Sequence, residues 1–147
     1  MFRGHFEHAV DDKGRVAVPI QFREALSGLQ EERLVATKFR IGTYRCLDVY
    51  PLSAWKRIEE RVRSMDPFDE DVVSFCNLYV APAQELRLDV QGRILLPPLL
   101  REHAGIKRDV TITGDVDKFR IWDRQVWQEV LAEDERRARD VFRRFGR

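Results

Sequence analysis

The sixteen residues 11–26, "DDKGRVAVPIQFREAL", return as residues 89–104, "DVQGRILLPPLLREHA", with six positions identical and no gap. The identities are Asp11/Asp89, Gly14/Gly92, Arg15/Arg93, Pro19/Pro97, Arg23/Arg101 and Glu24/Glu102. At average residue usage roughly one match would arise by chance. The likeness continues downstream, where "LDVYPLSAWKRI" (47–58) runs parallel to "FRIWDRQVWQEV" (119–130), matching Tyr50 to Trp122 and Trp55 to Trp127. The offset falls from 78 to 72, so the second copy is six residues shorter in between. An internal duplication therefore limits this chain to folds made of two related halves.

Each half reads the same way. A strand (Phe6, His8 and Val10 alternating; Leu86 and Leu88 in the second copy) runs into a tight Asp-x-x-Gly turn. Gly14 and Gly92 stand where such a turn needs positive φ. A second strand follows, Val16–Val18 or Ile94–Leu96, and Pro19 or Pro97 ends it and opens a short helix at its first turn. In the second copy Gly105 closes that helix. Next comes a strand pair, "LVATKF" to "CLDVY" and "DVTIT" to "KFRIW", the latter joined by "GDVD". A helix then begins with Ser53 as its N-cap and Trp55, Ile58, Val62 and Met65 on one face, until Asp66–Pro67 stops it. A further amphipathic helix is expected over about 69–79, and a C-terminal one over about 123–145.

A half-unit of three or four short strands cannot bury its apolar face alone. The expectation is an α+β, β-rich fold, a pseudo-two-fold duplicated β-barrel with helices on its rim. Its repeats would be residues 5–52 and 81–124 around one shared core, with 53–80 a helical connector and 125–147 a C-terminal helix.

Composition narrows the function. There are 26 Lys and Arg against 25 Asp and Glu, a net charge of +1, so any basic site has to be local. Cys46 and Cys76 are too few for a disulfide framework and read as buried thiols of a reducing compartment. "MFRGHFEHAV" lacks the apolar run of a signal peptide, and no stretch approaches the length of a membrane helix. These features point to a soluble, cytoplasmic protein.

No reaction chemistry emerges from the motifs. "DDKGR" has a single Gly and no G-x-x-x-x-G-K-[ST], so it cannot build a phosphate loop. There is no G-x-S-x-G. Asp11 and Asp12 are adjacent and point apart, with nothing nearby to separate their pKa values. His5 and His8 fall on opposite faces of a strand and lack a completing ligand set, and His103 stands alone. The reading is no catalytic residue, no cofactor and no metal.

The paired Asp-x-x-x-Arg turns, each followed by an apolar triplet and Pro, resemble the AbrB-type swapped-hairpin DNA-binding fold. "MFRG", "DDKGR", "YPLSAW", "GRILLPPLLREHAGI" and "DKFRIWD", in this order, are similar to the MraZ family of transcriptional regulators. The resemblance covers nearly the whole chain, most weakly across 66–80 and after 130. It implies a nucleoid-associated regulator of the bacterial division and cell-wall gene cluster. It also implies a homo-oligomeric ring (octamer or dodecamer) and autorepression. The DNA partner would be double-stranded, carrying short, guanine-rich direct repeats in the protein's own promoter region.

Arg15 has two compatible readings: an ion pair with Asp11 that pins the turn, mirrored by Asp89 and Arg93, and a DNA contact through its remaining donors. Arg3, Lys13 and Arg15 are expected around the first turn, with Arg87 and Arg93 around the second, where Gln91 replaces Lys13. The first turn is therefore favoured for phosphate and guanine contact through Arg15, Lys13, Arg3 and Gly14. Arg93 is assigned a secondary or structural role, and Asp11, Asp89 and Gly92 shape the motif. Arg23–Glu24 and Arg101–Glu102 read as helix-surface salt bridges, and Tyr50, Trp55, Trp122 and Trp127 as packing residues. The tail "EDERRARDVFRRFGR" reads as a solvated amphipathic helix. It is the only support for an alternative function, an antidote-type regulator whose C-terminal segment wraps a protein partner.

Overall fold

A sequence of short alternating strands punctuated by Gly and Pro yields a mixed α+β architecture whose sheets are wholly antiparallel. The computed structural model describes residues 1–147. Its first half comprises β1 (His5–Ala9), β2 (Arg15–Ala17), α1 (Ile20–Gly28), β3 (Arg33–Ile41), β4 (Tyr44–Pro51) and α2 (Leu52–Arg63). Helix α3 (Glu70–Phe75) and a π-helical turn, Cys76–Val80, lead into the second half. There β5 (Gln84–Arg87), β6 (Arg93–Leu95), α4 (Pro98–Ala104), β7 (Asp109–Asp115) and β8 (Lys118–Asp123) follow. Helices α5 (Arg124–Arg136) and α6 (Ala138–Arg144) end the chain.

The strand leading into each Gly turn pairs with the strand pair that follows the other turn. β1 lies antiparallel to β7, from His5 opposite Thr113 to Ala9 opposite Asp109, while β5 lies on β3. The short strands leaving the turns pair with each other, Arg15 opposite Leu95 and Ala17 opposite Arg93. The six-stranded sheet runs β1-β7-β8-β4-β3-β5, and β2-β6 forms a separate two-stranded ribbon. The expected closed barrel is thus corrected to an open sheet. Both edge strands end in turns that lead the chain away into the ribbon, so no hydrogen-bond ladder joins β1 to β5.

One core of 19 buried residues takes side chains from both halves. Phe22 sits at its centre, 5.2–5.3 Å in ring-centroid distance from Phe2, Phe6 and Phe119. Truncating so central a ring costs about 3–5 kcal/mol. Tyr50, Trp55 and Trp122 are buried, as their spacing suggests, with Trp127 half-buried against Trp122.

Several helix ends differ from expectation. Pro19, Pro51 and Pro97 occupy N-cap positions, φ −51°, −57° and −60°, so Ser53 lies inside α2 and caps nothing. Proline has no N–H to lose there and its φ is pre-set. Helix α2 stops at Arg63, before Asp66–Pro67, where the Ser64 hydroxyl donates to the Arg61 carbonyl at 2.7 Å. The segment expected as one helix over 69–79 turns π at Cys76. That extra residue aims Tyr79 at the sheet: its hydroxyl donates to Asp48 and lies 2.6 Å from the Tyr50 hydroxyl. Asp48 is fully buried and pairs with Arg120 at 2.8 Å, joining β4 to β8. The C-terminal helix is interrupted at Arg137, the residue between α5 and α6, where φ is −99° and ψ −1°. Gly105 ends α4 with φ 62°, as its position in the sequence indicates. No helix is long and apolar enough to cross a membrane.

Candidate nucleic-acid interface

The two Gly turns are built by their aspartates. One Asp11 carboxylate oxygen accepts from the backbone N–H groups of Lys13 (3.0 Å) and Arg15 (2.9 Å), while the other accepts from the Arg15 guanidinium Nε at 2.7 Å. Asp89 does the same for Gln91 (2.8 Å), Arg93 (2.9 Å) and Arg93 Nε (2.9 Å). Such side-chain-to-backbone bonds close a turn locally, whatever the rest of the chain does. The Arg15 backbone N–H first, and then its guanidinium, hold Asp11 below the usual carboxylate range; Arg93 acts likewise on Asp89. Gly14 and Gly92 supply the positive φ, 89° and 74°.

The β2/β6 ribbon then presents what the turns have shaped. Val16 and Ile94 point inward and are buried. By strand alternation Arg15, Ala17, Arg93 and Leu95 share the outer face. The register sets the two arginines diagonally across the ribbon. Each guanidinium is oriented by its aspartate through Nε, and its terminal amino groups make no bond within the protein. Both side chains remain about a third exposed, 34% for Arg15 and 29% for Arg93.

A reciprocal clamp locks the ribbon. Val18 N–H donates to the Gly92 carbonyl at 3.0 Å, and Leu96 N–H donates to that of Gly14 at 2.8 Å. Above these bonds lie Arg101 and Arg23, which are not helix-surface salt bridges. Arg23 Nε donates to the Val18 carbonyl (3.0 Å) and Arg101 Nε to that of Leu96 (3.1 Å). The Arg101 guanidinium rests on Gly14, where an added Cβ would come within 3.0 Å of it. Arg23 rests on Gly92, where a Cβ would come within 2.4 Å. The missing side chain of each glycine makes room for the arginine of the other half. Sequence reasoning overlooked this role although Arg23/Arg101 was among the repeated identities; only the pairing of β2 with β6 brings each arginine to the opposite turn.

The clamp changes the local charge. Lys13, Arg15 and Arg101 now stand with Asp11 and Asp12 at the first turn, and Arg23 and Arg93 with Asp89 at the second. Arg87 lines shallow depressions beside both. Arg3 is not at the first turn. It lies at the opposite end of β1, against Gly114, with Phe2 bridged to Val116. The strand between spans roughly 16 Å at the rise of an extended chain. His5 and His8 also separate, His5 lying 6.2 Å from the Trp127 ring and His8 feeling the charge of Arg23.

This arrangement defines a class: an α+β binding protein that offers paired, carboxylate-oriented arginines on an exposed β-ribbon. Comparison with known proteins gives the family. The family model "MraZ protein, putative antitoxin-like" matches residues 1–74 and 79–147. A protein of Acetivibrio thermocellus named "Transcriptional regulator MraZ" is 38% identical over 141 residues, 96% of this chain and 94% of that protein. Bearers of the same name from Caldanaerobacter subterraneus (43% over 129 residues, 88% and 85%) and Desulfitobacterium hafniense (40% over 142 residues, 97% and 92%) are also similar. The chain belongs to the MraZ family, a family of named transcriptional regulators and not of enzymes.

Proposed function

We propose that this chain is a sequence-specific, DNA-binding transcriptional regulator that inserts its β2/β6 ribbon into the major groove. The observation that carries the reading is the outer face of that ribbon. A two-stranded β-ribbon fits the groove, and bidentate arginine is the commonest reader of guanine O6 and N7. Arg15 and Arg93 are the guanine readers; Lys13 and the Gly14 backbone approach phosphate. Asp11, Asp89 and Gly92 hold the shape, while Arg23 and Arg101 fix the turns and add positive charge. Arg3 stands outside this face. The operator is a set of short, guanine-rich direct repeats upstream of the chain's own gene cluster, and binding there represses it. The protein would accordingly be found with the nucleoid.

In this reading the chain consists of two AbrB-like swapped-hairpin repeats, residues 5–52 and 81–124, joined by 53–80 and followed by 125–147. The exchanged strand pairings and the two stretches matched by the family model support it. One protomer offers a single ribbon, too little for tight selective binding. A closed ring of eight or twelve copies would meet successive repeats, and engaging a second repeat raises avidity about 10²–10⁴-fold.

The test is a footprint of the purified protein on DNA upstream of its coding sequence, with affinity measured at several salt concentrations. Protection of repeated G-rich elements and a steep log–log salt dependence are expected. No protection there, or a flat plot, would overturn the reading. In the alternative reading, an antidote-type regulator, the C-terminal helices α5 and α6 would instead hold a protein partner that co-purifies with the chain.

A further inference from the structure

We infer that the acidic loop carrying Phe68 in one copy docks into a cationic, aromatic-floored cleft on a second copy of this chain. The inference rests on the proposed multi-copy assembly and names its contact surfaces.

The cleft lies at one end of the sheet. The β3–β4 hairpin supplies Lys38, Phe39, Arg40 and Arg45, helix α4 supplies His103, and α3 with the π turn supplies Phe75, Leu78 and Tyr79. Its volume is about 340 Å³, and no carboxylate lines it. Arg40 and Arg45 stand directly opposite each other across the β3–β4 ladder. Like charges in that register repel, and neither arginine, nor Lys38, has an ion-pair partner within the protein. The apolar floor is open, Leu78 being 60% exposed and Phe75 40%. His103 Nε2, 3.0 Å from the Phe39 carbonyl, stiffens one wall. Burial, together with the charges of Lys38, Arg45 and Arg40, holds this imidazole below its usual range, so it adds little positive charge of its own. Such a cleft suits a segment with several carboxylates and one aromatic side chain.

This chain carries that segment. Phe68 is 89% exposed and sits among Asp66, Asp69, Glu70 and Asp71. The loop is already shaped for docking: Asp66 accepts from the Phe68 backbone N–H at 2.9 Å, and Asp69 accepts from that of Asp71 at 2.8 Å. A pre-formed loop loses little entropy on binding, and an aromatic anchor buried in a pocket is a usual energetic centre of an interface. Phe68 is solvent-exposed and lines no part of its own chain's cleft, which leaves it free to enter that of another copy. The acidic segment and the cleft lie at the two ends of α3, and a contact of one with the other joins two copies.

The experiment is the mass and self-association of the full chain by analytical ultracentrifugation and light scattering. Phe68→Ala, Glu70→Arg and Arg45→Glu are compared with the Glu70→Arg/Arg45→Glu double variant and with an equimolar mixture of the two single charge variants. All three residues are exposed, and circular dichroism checks that each variant folds. Each single variant is expected to weaken assembly at least about tenfold, and both the double variant and the mixture should recover it. Single variants that assemble as the parent does, or a double variant and mixture that stay dissociated, overturn this interface alone. A parent protein that is monomeric at every concentration overturns the assembly reading, and this inference with it. Binding of benzoate in the cleft of the parent without any dissociation of the assembly would instead assign the cleft to a small aromatic anion and overturn the inference.

Discussion

The two Gly turns are the same object built from different surfaces. Both have an aspartate receiving two backbone N–H groups and an arginine Nε, both put a glycine at positive φ, and both lie under an arginine from the opposite half. What they share shapes and braces the turn, and it includes the two arginines that face outward from the ribbon. Outside the core they differ at Asp12 against Val90, Lys13 against Gln91, and on the ribbon Ala17 against Leu95. The repeated residues therefore make the shape and present one arginine at each turn, and the unrepeated outer ones tune what surrounds that arginine. The sequence ranks the first turn as the more cationic. The fold revises that ranking, because Arg3 leaves the first turn while the clamp adds one arginine to each, Arg101 to the first and Arg23 to the second.

The sharpest way to break this equivalence is to fill the glycines. Gly92→Ala sets a Cβ against Arg23 at positive φ and forces that side chain off the Val18 carbonyl. It should destabilise the fold by about 2–3 kcal/mol. Gly14→Ala leaves Arg101 more room and should cost about 1–2 kcal/mol. Urea denaturation of the two variants measures both; equal midpoints, or a larger loss at Gly14, would contradict the difference in packing.

The next test separates shape from contact. Arg15→Ala and Arg93→Ala should each lower affinity for operator DNA by about 1–3 kcal/mol per site with little change in melting, because each guanidinium is partly exposed and no core cavity forms. Comparable losses would establish the ribbon as a symmetric reader. A loss confined to Arg15 would restore the asymmetry expected from the sequence. Gel-shift titration beside thermal denaturation distinguishes the two.

Lys13→Gln makes the first turn resemble the second at its tip. It should weaken binding mildly and to all DNA sequences alike, reducing the salt slope by about one. An unchanged slope would remove Lys13 from the phosphate contacts.

Acidification offers the smallest effect. Asp11 and Asp89 have folded-state pKa values below their ordinary value, so the stability they add is fully present above that value. It is lost as pH falls through the depressed folded-state values. Both turns should therefore keep their amide chemical shifts unchanged down to the ordinary carboxylate range and loosen together below it. Observation of the Arg15 and Arg93 amides by NMR tests this, and loosening of either turn near neutrality would contradict it.

Much of the site was legible before any coordinates. Asp-x-x-Gly-Arg encodes a turn whose hydrogen bonds close within five residues, so local chemistry suffices to read it. The burial of Tyr50, Trp55 and Trp122, and the left-handed cap at Gly105, were equally legible. Arg3 was misplaced because nearness in sequence was taken for nearness in space, whereas an extended strand carries its two ends apart. The breaks at Cys76 and Arg137 lie in segments whose apolar spacing suits one continuous helix. In the first, the contacts of Tyr79 with Asp48 and Tyr50 oppose that continuity.

By itself the sequence determined the two turns, their arginines and the burial of Tyr50, Trp55 and Trp122, because each depends on bonds within a few residues or on which side chains avoid water. Tertiary structure alone decided which strands pair. A period-two pattern buries the same side chains whichever neighbour completes the ladder, so alternation could not reveal that β1 joins β7, that β2 joins β6, or that the sheet stays open. Those pairings carry Arg23 and Arg101 across to the opposite glycines, and they set Arg15 and Arg93 on one exposed face.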